Sequence, residues 1–331
     1  MKKRIVSGIT ATGSLTIGNY IGAIKNFIKH QNDYEMFIFV ADLHALTTTI
    51  SPEELDKNRK EILALYIACG LNHKKSTIFF QSDVPAHSIF NWITITNTTM
   101  GELSRMNQFK DKSAKTKQSN GTDNIPTGLF VYPTLMAADI LLYNPEFVPV
   151  GVDQKQHLEL TRNLASRLNK KYNLNFNEPK PLFSEIGSKI MSLKSPEFKM
   201  SKSDNDKNAS IFLLDDPDLA FDKIKKSVTD SENKVYYSKD KPGVNNLLTI
   251  YASLSEITIE KAEEDFKNSN YKEFKEVVGS VVRDFLIEIQ KKYSESLINL
   301  PSIAKEGSIK ANVIAEKNIA KILNHVGYKK F

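Results

Sequence analysis

Short, unbroken apolar runs separated by helix-patterned segments constrain this chain more than any other feature. Met36-Phe37-Ile38-Phe39-Val40-Ala41 and Thr77-Ile78-Phe79-Phe80 show no polar alternation, as strands covered on both faces require. Ile5-Val6 is a shorter run entering a turn region between Gly8 and Gly13, and Phe147-Val148-Pro149-Val150 reads as the last good strand. Helices are expected from Gly18 to about Gln31, from Ser51-Pro52-Glu53-Glu54 (a cap, a first-turn proline and two acids) to Gly70, after Pro85, and from about Gln154 to Lys171. Strands alternating with helices predict an α/β fold, a parallel sheet with helices on both faces.

Beyond Ser203 the pattern turns wholly helical. Phe274, Val277, Val278, Val281, Val282, Phe285 and Ile289 make one apolar stripe, and Ile319, Ile322, Leu323 and Val326 make another, closed by Gly327. The 331 residues therefore divide into an α/β part over 1–206, a helical part over 207–300 and a last helix over 301–331. Hydrophobic residues at 40% and charged residues at 25% exclude collagen-like and disordered classes. The segments Lys110 to Asn124, with four lysines, and Asp204 to Asn208 carry almost nothing apolar and read as loops or lids.

Charge and cysteine content narrow the setting. Forty-five Lys plus Arg against 39 acids give a net charge of +6, which suits a phosphate-bearing partner. The single cysteine, Cys69, forms no internal disulfide, and a cytoplasmic protein is expected. Met1-Lys2-Lys3-Arg4 has the charge of an export-signal head, but the following residues turn polar too soon for its apolar core. No run approaches the ~18 apolar residues of a membrane helix. His30, His73, His87, His157 and His325 lack ligand spacing, so no metal site is assigned.

Gly8, Gly13 and Gly18 are five apart, the opening of a phosphate loop. Ser14-Leu15 and Asn19-Tyr20 stand where Lys-Ser or Lys-Thr would hold phosphate and magnesium, so that motif fails. No G-x-G-x-x-G dinucleotide fingerprint occurs there either. Lys199-Met200-Ser201-Lys202-Ser203 changes the reading, because it stands after the last expected strand of the domain that opens with Thr16-Ile17-Gly18-Asn19. The pair resembles the two signatures of the class I aminoacyl-tRNA synthetases, and the Thr-Ile-Gly-Asn-Tyr form resembles their bacterial tryptophanyl branch. Gly101-Glu102-Leu103-Ser104-Arg105-Met106, Leu135-Met136-Ala137-Ala138-Asp139, Val148-Pro149-Val150-Gly151, Asp153-Gln154-Lys155-Gln156-His157 and Ser227-Val228-Thr229-Asp230-Ser231 follow in that family's order, nearly end to end.

The resemblance implies a Rossmann-like, doubly wound catalytic domain over 1–206, an anticodon-reading helical domain over 207–300 and a helix over 301–331 packing back on the first domain. It implies tryptophan activation by ATP with Mg2+, transfer to tRNA(Trp), and a homodimer. Negative charge on separating phosphates demands fixed donors. The implied catalytic residues are Thr16, Asn19, Lys110, Lys112, Lys199 and Lys202. ATP would further contact Thr10, Ala11, Thr12, Gly18, Gly151, Val152, Asp153, Ile190, Met200, Ser201 and Ser203. Tryptophan would lie among Val6, His44, Tyr132, Met136, Asp139, Ile140, Val148 and Gln154. An indole needs one acceptor for its N–H within apolar walls. Asp139, on an apolar helix face shared with Met136, is that acceptor in this reading. Four features depart from the family pattern: Thr10-Ala11 replaces Gln or Arg with Pro, Val152 replaces glutamate, Val6 replaces an aromatic residue, and residues 112–126 form a longer segment. The alternatives are a tyrosyl enzyme, which would need phenol partners, a small-molecule adenylyltransferase, which would need no RNA-binding half, and a non-catalytic regulator, which would not need Lys199 and Lys202.

Overall fold

The computed structural model describes residues 2–114, 125–182, 189–202, 204 and 206–329, without the side chains of Lys112, Ala114 and Val152. Five parallel strands form the sheet: β1 (Arg4–Thr10), β2 (Glu35–Ala41), β3 (Ser76–Phe80), β4 (Phe147–Pro149) and β5 (Lys180–Leu182). Their spatial order is β3-β2-β1-β4-β5, so the chain builds outward from β1 in one direction and then returns to its other side. That reversal opens a crevice beyond the carboxyl ends of β1 and β4, where ligands bind in open α/β sheets.

Between β1 and β2 lie α1 (Ile17–Asn19), a π-helical turn (Tyr20–Ile24) and α2 (Lys25–His30). Helices α3 (Asp42–Ala45) and α4 (Pro52–Ala68) lead to β3, and Ser51 accepts the Glu54 N–H to cap α4. Then come α5 (Ala86–Thr96), α6 (Met100–Ser104), α7 (Asn107–Ala114) and α8 (Thr127–Leu142) before β4, and α9 (Lys155–Tyr172) before β5. Successive strand residues feed opposite cores. Ile5, Met36, Ile38, Val40 and Ile78 join a cluster with α4, whereas Val6, Phe37, Phe39 and Phe79 join one with α5, α8 and α9. This double burial is why the runs show no alternation.

Four more helices follow among the described residues: α10 (Pro217–Lys225), α11 (Pro242–Leu254), α12 (Ile259–Phe266) and the 56-residue α13 (Tyr271–Val326). Asn270 and Glu273 form a capping box at the start of α13, and Gly327, with φ of 109°, ends it. Phe274, Val278, Val282, Leu286 and Ile289 are buried, each contributing about 1.5–3 kcal/mol through burial. Val277, expected in that stripe, is exposed, and Leu286 takes the inward place that the 3.6-residue period gives it. Farther along, Ala311, Ala315, Ile319 and Ile322 pack into the α5–α8–α9 core.

Two sequence expectations are corrected, and two expected boundaries fall within continuous structure. Strand β5 follows the run that was read as the last strand. Lys110 to Ala114 belong to α7, anchored where Phe109 meets the Phe130 ring edge-on at 4.9 Å. The boundary placed at 300/301 falls inside α13, which continues through an exposed Pro301. The boundary placed at 206/207 is spanned by main-chain bonds from Ile17 N–H to Ile211 O at 2.9 Å and from Leu213 N–H to Leu15 O at 2.8 Å.

Candidate active site

The turn after β1 is tightly held. Gly13 sits at φ 66°, in the left-handed region where a Cβ is strained. Thr16 then caps the helix: its hydroxyl accepts the Asn19 N–H at 3.3 Å, while Asn19 Oδ1 accepts from Thr16 N–H at 2.9 Å and from its hydroxyl at 3.1 Å. Thr16 is buried and spends its donors inside the corner. The donor expected of it toward a ligand is therefore not offered. Asn19 is half-buried, and with Oδ1 engaged its Nδ2 end is the donor it can present.

The second signature returns to this corner. Met200 N–H bonds to Ile190 O at 3.0 Å, and a Cβ on Gly18 would lie 3.4 Å from Ile190 Cβ and 3.8 Å from Met200 Cβ. Ile190 and Met200 are buried there, whereas Lys199 is exposed and bridges Met191. Ser201 is half-buried, its carbonyl accepting from Ser210 Oγ at 2.9 Å. Lys202 crosses the cleft: its Nζ donates to Thr12 O at 3.2 Å and to Gly13 O at 3.3 Å. Burial pulls its ammonium down to a pKa of about 8, with the Glu61 carboxylate acting in the opposite sense. Ser203 lies outside the described residues.

Thr10 and Thr12 remain partly accessible in the turn, but Ala11 does not. Its methyl is fully buried, its N–H bonds to Ala41 O and its carbonyl accepts from Asn58 Nδ2 at 3.3 Å. The expected ATP contact at Ala11 is thus replaced by an internal role. Gly151 and Asp153 are exposed beyond β4, where Gln154 Nε2 donates to Asp153 Oδ2 at 2.9 Å. The Val152 and Lys112 side chains lie outside what is described, and Lys110 is exposed on α7.

The acid on α8 lies in a buried polar knot. Asp139 Oδ1 accepts from Gln81 Nε2 at 2.8 Å and from His87 Nδ1 at 2.7 Å, and Oδ2 accepts from His44 Nε2 at 2.8 Å. His87 Nε2 then accepts from the Tyr143 hydroxyl at 2.9 Å, the tautomer being set by its bond to the carboxylate. Burial alone would raise the Asp139 pKa, but the hydrogen bonds from His44 and His87 hold it at about 2. Asp139 is 1% exposed. It is therefore not the open pocket floor expected, because its donors already surround it. Ile140 and Val148 pack with Val150, Leu158 and half-buried Met136 beside it, and Val6 is enclosed in the sheet. Tyr132 donates to Gln108 Oε1 at 3.1 Å, pairs with His157 Nε2 at 2.8 Å and stands edge-on to His44 at 6.3 Å. Burial pushes the Tyr132 phenol up to about 12.

Sequence reasoning missed Gln81, His87, Gln108 and Tyr143 as members of the site. A carboxylate in an apolar helix signals that donors must exist, but not which distant side chains supply them. A neighbouring open cavity of about 470 Å³ is lined by Asn107, Gln108, Asp111, Asp153, Lys155, Gln156 and Glu159. Of its lining, Gln108 accepts from the Tyr132 hydroxyl.

A sequence profile of the tRNA synthetases class I (W and Y) matches residues 1–287. The chain belongs to this family. It is 57% identical to a tryptophan–tRNA ligase of Mycoplasmopsis pulmonis (strain UAB CTIP) over 328 residues, covering 99% of each chain. Among solved synthetases, the tryptophanyl-tRNA synthetase of Mycoplasma pneumoniae superposes with a TM-score of 0.91 at 38% identity, covering 99% of this chain and 98% of that one. The Campylobacter jejuni tryptophanyl-tRNA synthetase, complexed with ADP and tryptophan, superposes with a TM-score of 0.81 at 32% identity, covering 98% and 99%. Among the described residues no helix is long and apolar enough to cross a membrane.

Proposed function

We propose that this synthetase joins L-tryptophan to tRNA(Trp) in two steps at the crevice beyond β1 and β4. The observation that carries the reading is Lys202 Nζ within 3.3 Å of the Thr12 and Gly13 carbonyls, with Gly18 against Ile190 and Met200. In the first step a tryptophan carboxylate oxygen attacks the α-phosphorus of ATP and the bond to the β-phosphate oxygen breaks, releasing pyrophosphate. Charge on the leaving group is neutralised by Lys199 and Lys202, with help from Lys110 and Lys112 and with Mg2+ arriving on the phosphates. Asn19 Nδ2 supports the nucleotide, and Gly18, Ile190, Thr10, Thr12, Met200, Ser201, Ser203 and residues 151–153 complete its surroundings.

The indole lies against Met136, Ile140 and Val148, Val6 being enclosed in the sheet behind them. A carboxylate has about four acceptor positions and Asp139 uses three, so Oδ2 keeps one for the indole N–H beside His44. Tyr132 and Gln154 take the substrate's ammonium and carboxylate. In the second step the 2′-hydroxyl of the terminal ribose attacks the acyl carbon and AMP leaves. The helices over 207–300 read the unstacked anticodon through phosphate and base contacts. The enzyme works in the cytoplasm as a homodimer, for which the exposed Ile89 and Trp92, three apart on α5, offer an apolar face.

Amino-acid-dependent ATP–pyrophosphate exchange tests this directly. Strong exchange with tryptophan and none with tyrosine or phenylalanine is expected. Exchange with tyrosine alone would transfer the assignment to the tyrosyl branch of the family.

A further inference from the structure

Glu61 is a charged residue where none is expected. It lies in the middle of α4 and is 5% exposed, and its Oε1 has no hydrogen-bond partner among the described residues. A carboxylate oxygen held from water without a hydrogen bond is costly unless a cation's field compensates it. Its place explains what it faces. Asn58, one helical turn earlier on α4, donates to the Ala11 carbonyl, so this face of α4 lies against the turn whose next two carbonyls hold Lys202.

We infer that Glu61 is a positioning residue for the activation step: a fixed counter-charge beneath the Ala11–Gly13 turn that keeps Lys202 charged while it waits there. The inference rests on the assignment of Lys202 to the pyrophosphate. Lys202 donates to two carbonyls rather than to Glu61, so the carboxylate acts through its field and leaves the lysine free to depart toward a phosphate. The Glu61 carboxylate opposes the burial that favours the neutral amine of Lys202. From α13, the half-buried Tyr293 faces the same carboxylate, and its phenol is raised by burial and then by Glu61. A neutral Lys202 would bring no charge to the leaving group, so the carboxylate maintains the reactive form of a residue it never touches.

The test compares wild type, Glu61→Gln, Glu61→Asp and the Lys202→Ala/Glu61→Gln pair as full-length chains. Tryptophan-dependent ATP–pyrophosphate exchange is followed across neutral to alkaline pH, and Lys202 is titrated by carbon NMR of lysine side chains. Glu61→Gln is expected to keep its tryptophan KM and to match wild type at the acid end. Its exchange kcat then falls behind as pH rises, by about tenfold for each unit by which the Lys202 midpoint drops. Glu61→Asp restores both the midpoint and the alkaline limb, and in the Lys202→Ala background Glu61→Gln has no further effect on the profile. Parallel profiles with an unchanged Lys202 midpoint, or the same loss in the Lys202→Ala background, would overturn the inference. Glu61→Gln removes a buried unpaired charge and is expected to fold; should it not, the Glu61→Asp midpoint decides, and one that departs from wild type by as much as an uncharged residue would is also contrary. Absence of tryptophan-dependent exchange in wild type would instead defeat the functional assignment itself.

Discussion

His87 Nδ1 lies 2.7 Å from Oδ1 of Asp139, and both side chains are buried. With Gln81 on the same oxygen and His44 on the other, the carboxylate organises three donors from separate elements of the chain. It is as much a keystone of the α3–α5–α8 packing as a contact for a ligand. Selection of the indole therefore rides on a group that also stabilises the fold.

Asp139→Ala is expected to cost about 3–5 kcal/mol of stability, because it strands buried donors without their charge partner. The same variant loses tryptophan-over-phenylalanine discrimination in pyrophosphate exchange. Urea unfolding and the ratio of kcat/KM values measure the two effects. Unchanged discrimination in a folded variant would remove Asp139 from the indole role.

The depressed Asp139 pKa fixes the sign of its acid sensitivity. A carboxyl at about 2 when folded, against 3.8 as its ordinary value, adds stability that is full above the ordinary value and disappears as pH falls through the folded one. The shift corresponds to about 2 kcal/mol. The stability gap between wild type and Asp139→Asn is expected to narrow by about that amount between mildly acidic buffer and pH ~2. Denaturant titrations at a series of pH values measure it, and a constant gap would contradict the assignment.

Gly307 lets α13 touch the sheet. A Cβ there would stand 1.7 Å from the Ile78 carbonyl oxygen, which is backbone and cannot turn aside. Gly307→Ala is expected to destabilise by about 3 kcal/mol, the upper end of the usual overpacking range. The midpoint of urea unfolding reports it, and a shift within error would mean that the helix sits farther from β3.

Pro301 lies within α13 on an exposed turn, where its ring removes the N–H that would bond to the Leu297 carbonyl. Pro301→Ala is expected to stabilise the protein by about 1–2 kcal/mol, the regained helix energy being partly offset by a freer unfolded chain. Thermal unfolding tests this, with a raised midpoint expected and a lowered one contrary.

The buried strands were legible because residues such as Phe37 and Ile38 enter opposite cores, so both must be apolar. The Thr16–Asn19 corner and the Lys199–Lys202 segment stood out as a pair by resemblance, and they meet where Gly18 lies against Met200 and Lys202 reaches the Thr12 and Gly13 carbonyls. Strand β5 was not: it is a three-residue edge strand containing Pro181, whose ladder needs only β4. The continuity of α13 was hidden by Pro301, which reads locally as a break and survives because tertiary packing on both sides holds the helix. The Asp139 knot joins positions 52 to 95 residues apart in sequence, and no local pattern encodes such pairs. The unpaired Glu61 was equally invisible, since its spacing in α4 matches that of a surface acid.

Single-turnover formation of tryptophanyl-adenylate by Lys202→Ala, with tryptophan binding measured on the same preparation, tests most directly whether the two signatures close on one triphosphate. The account predicts that the adenylate rate falls by about 10²-fold or more, the scale of a lost charge-stabilising group, while tryptophan binds as in wild type. An unchanged adenylate rate would contradict it.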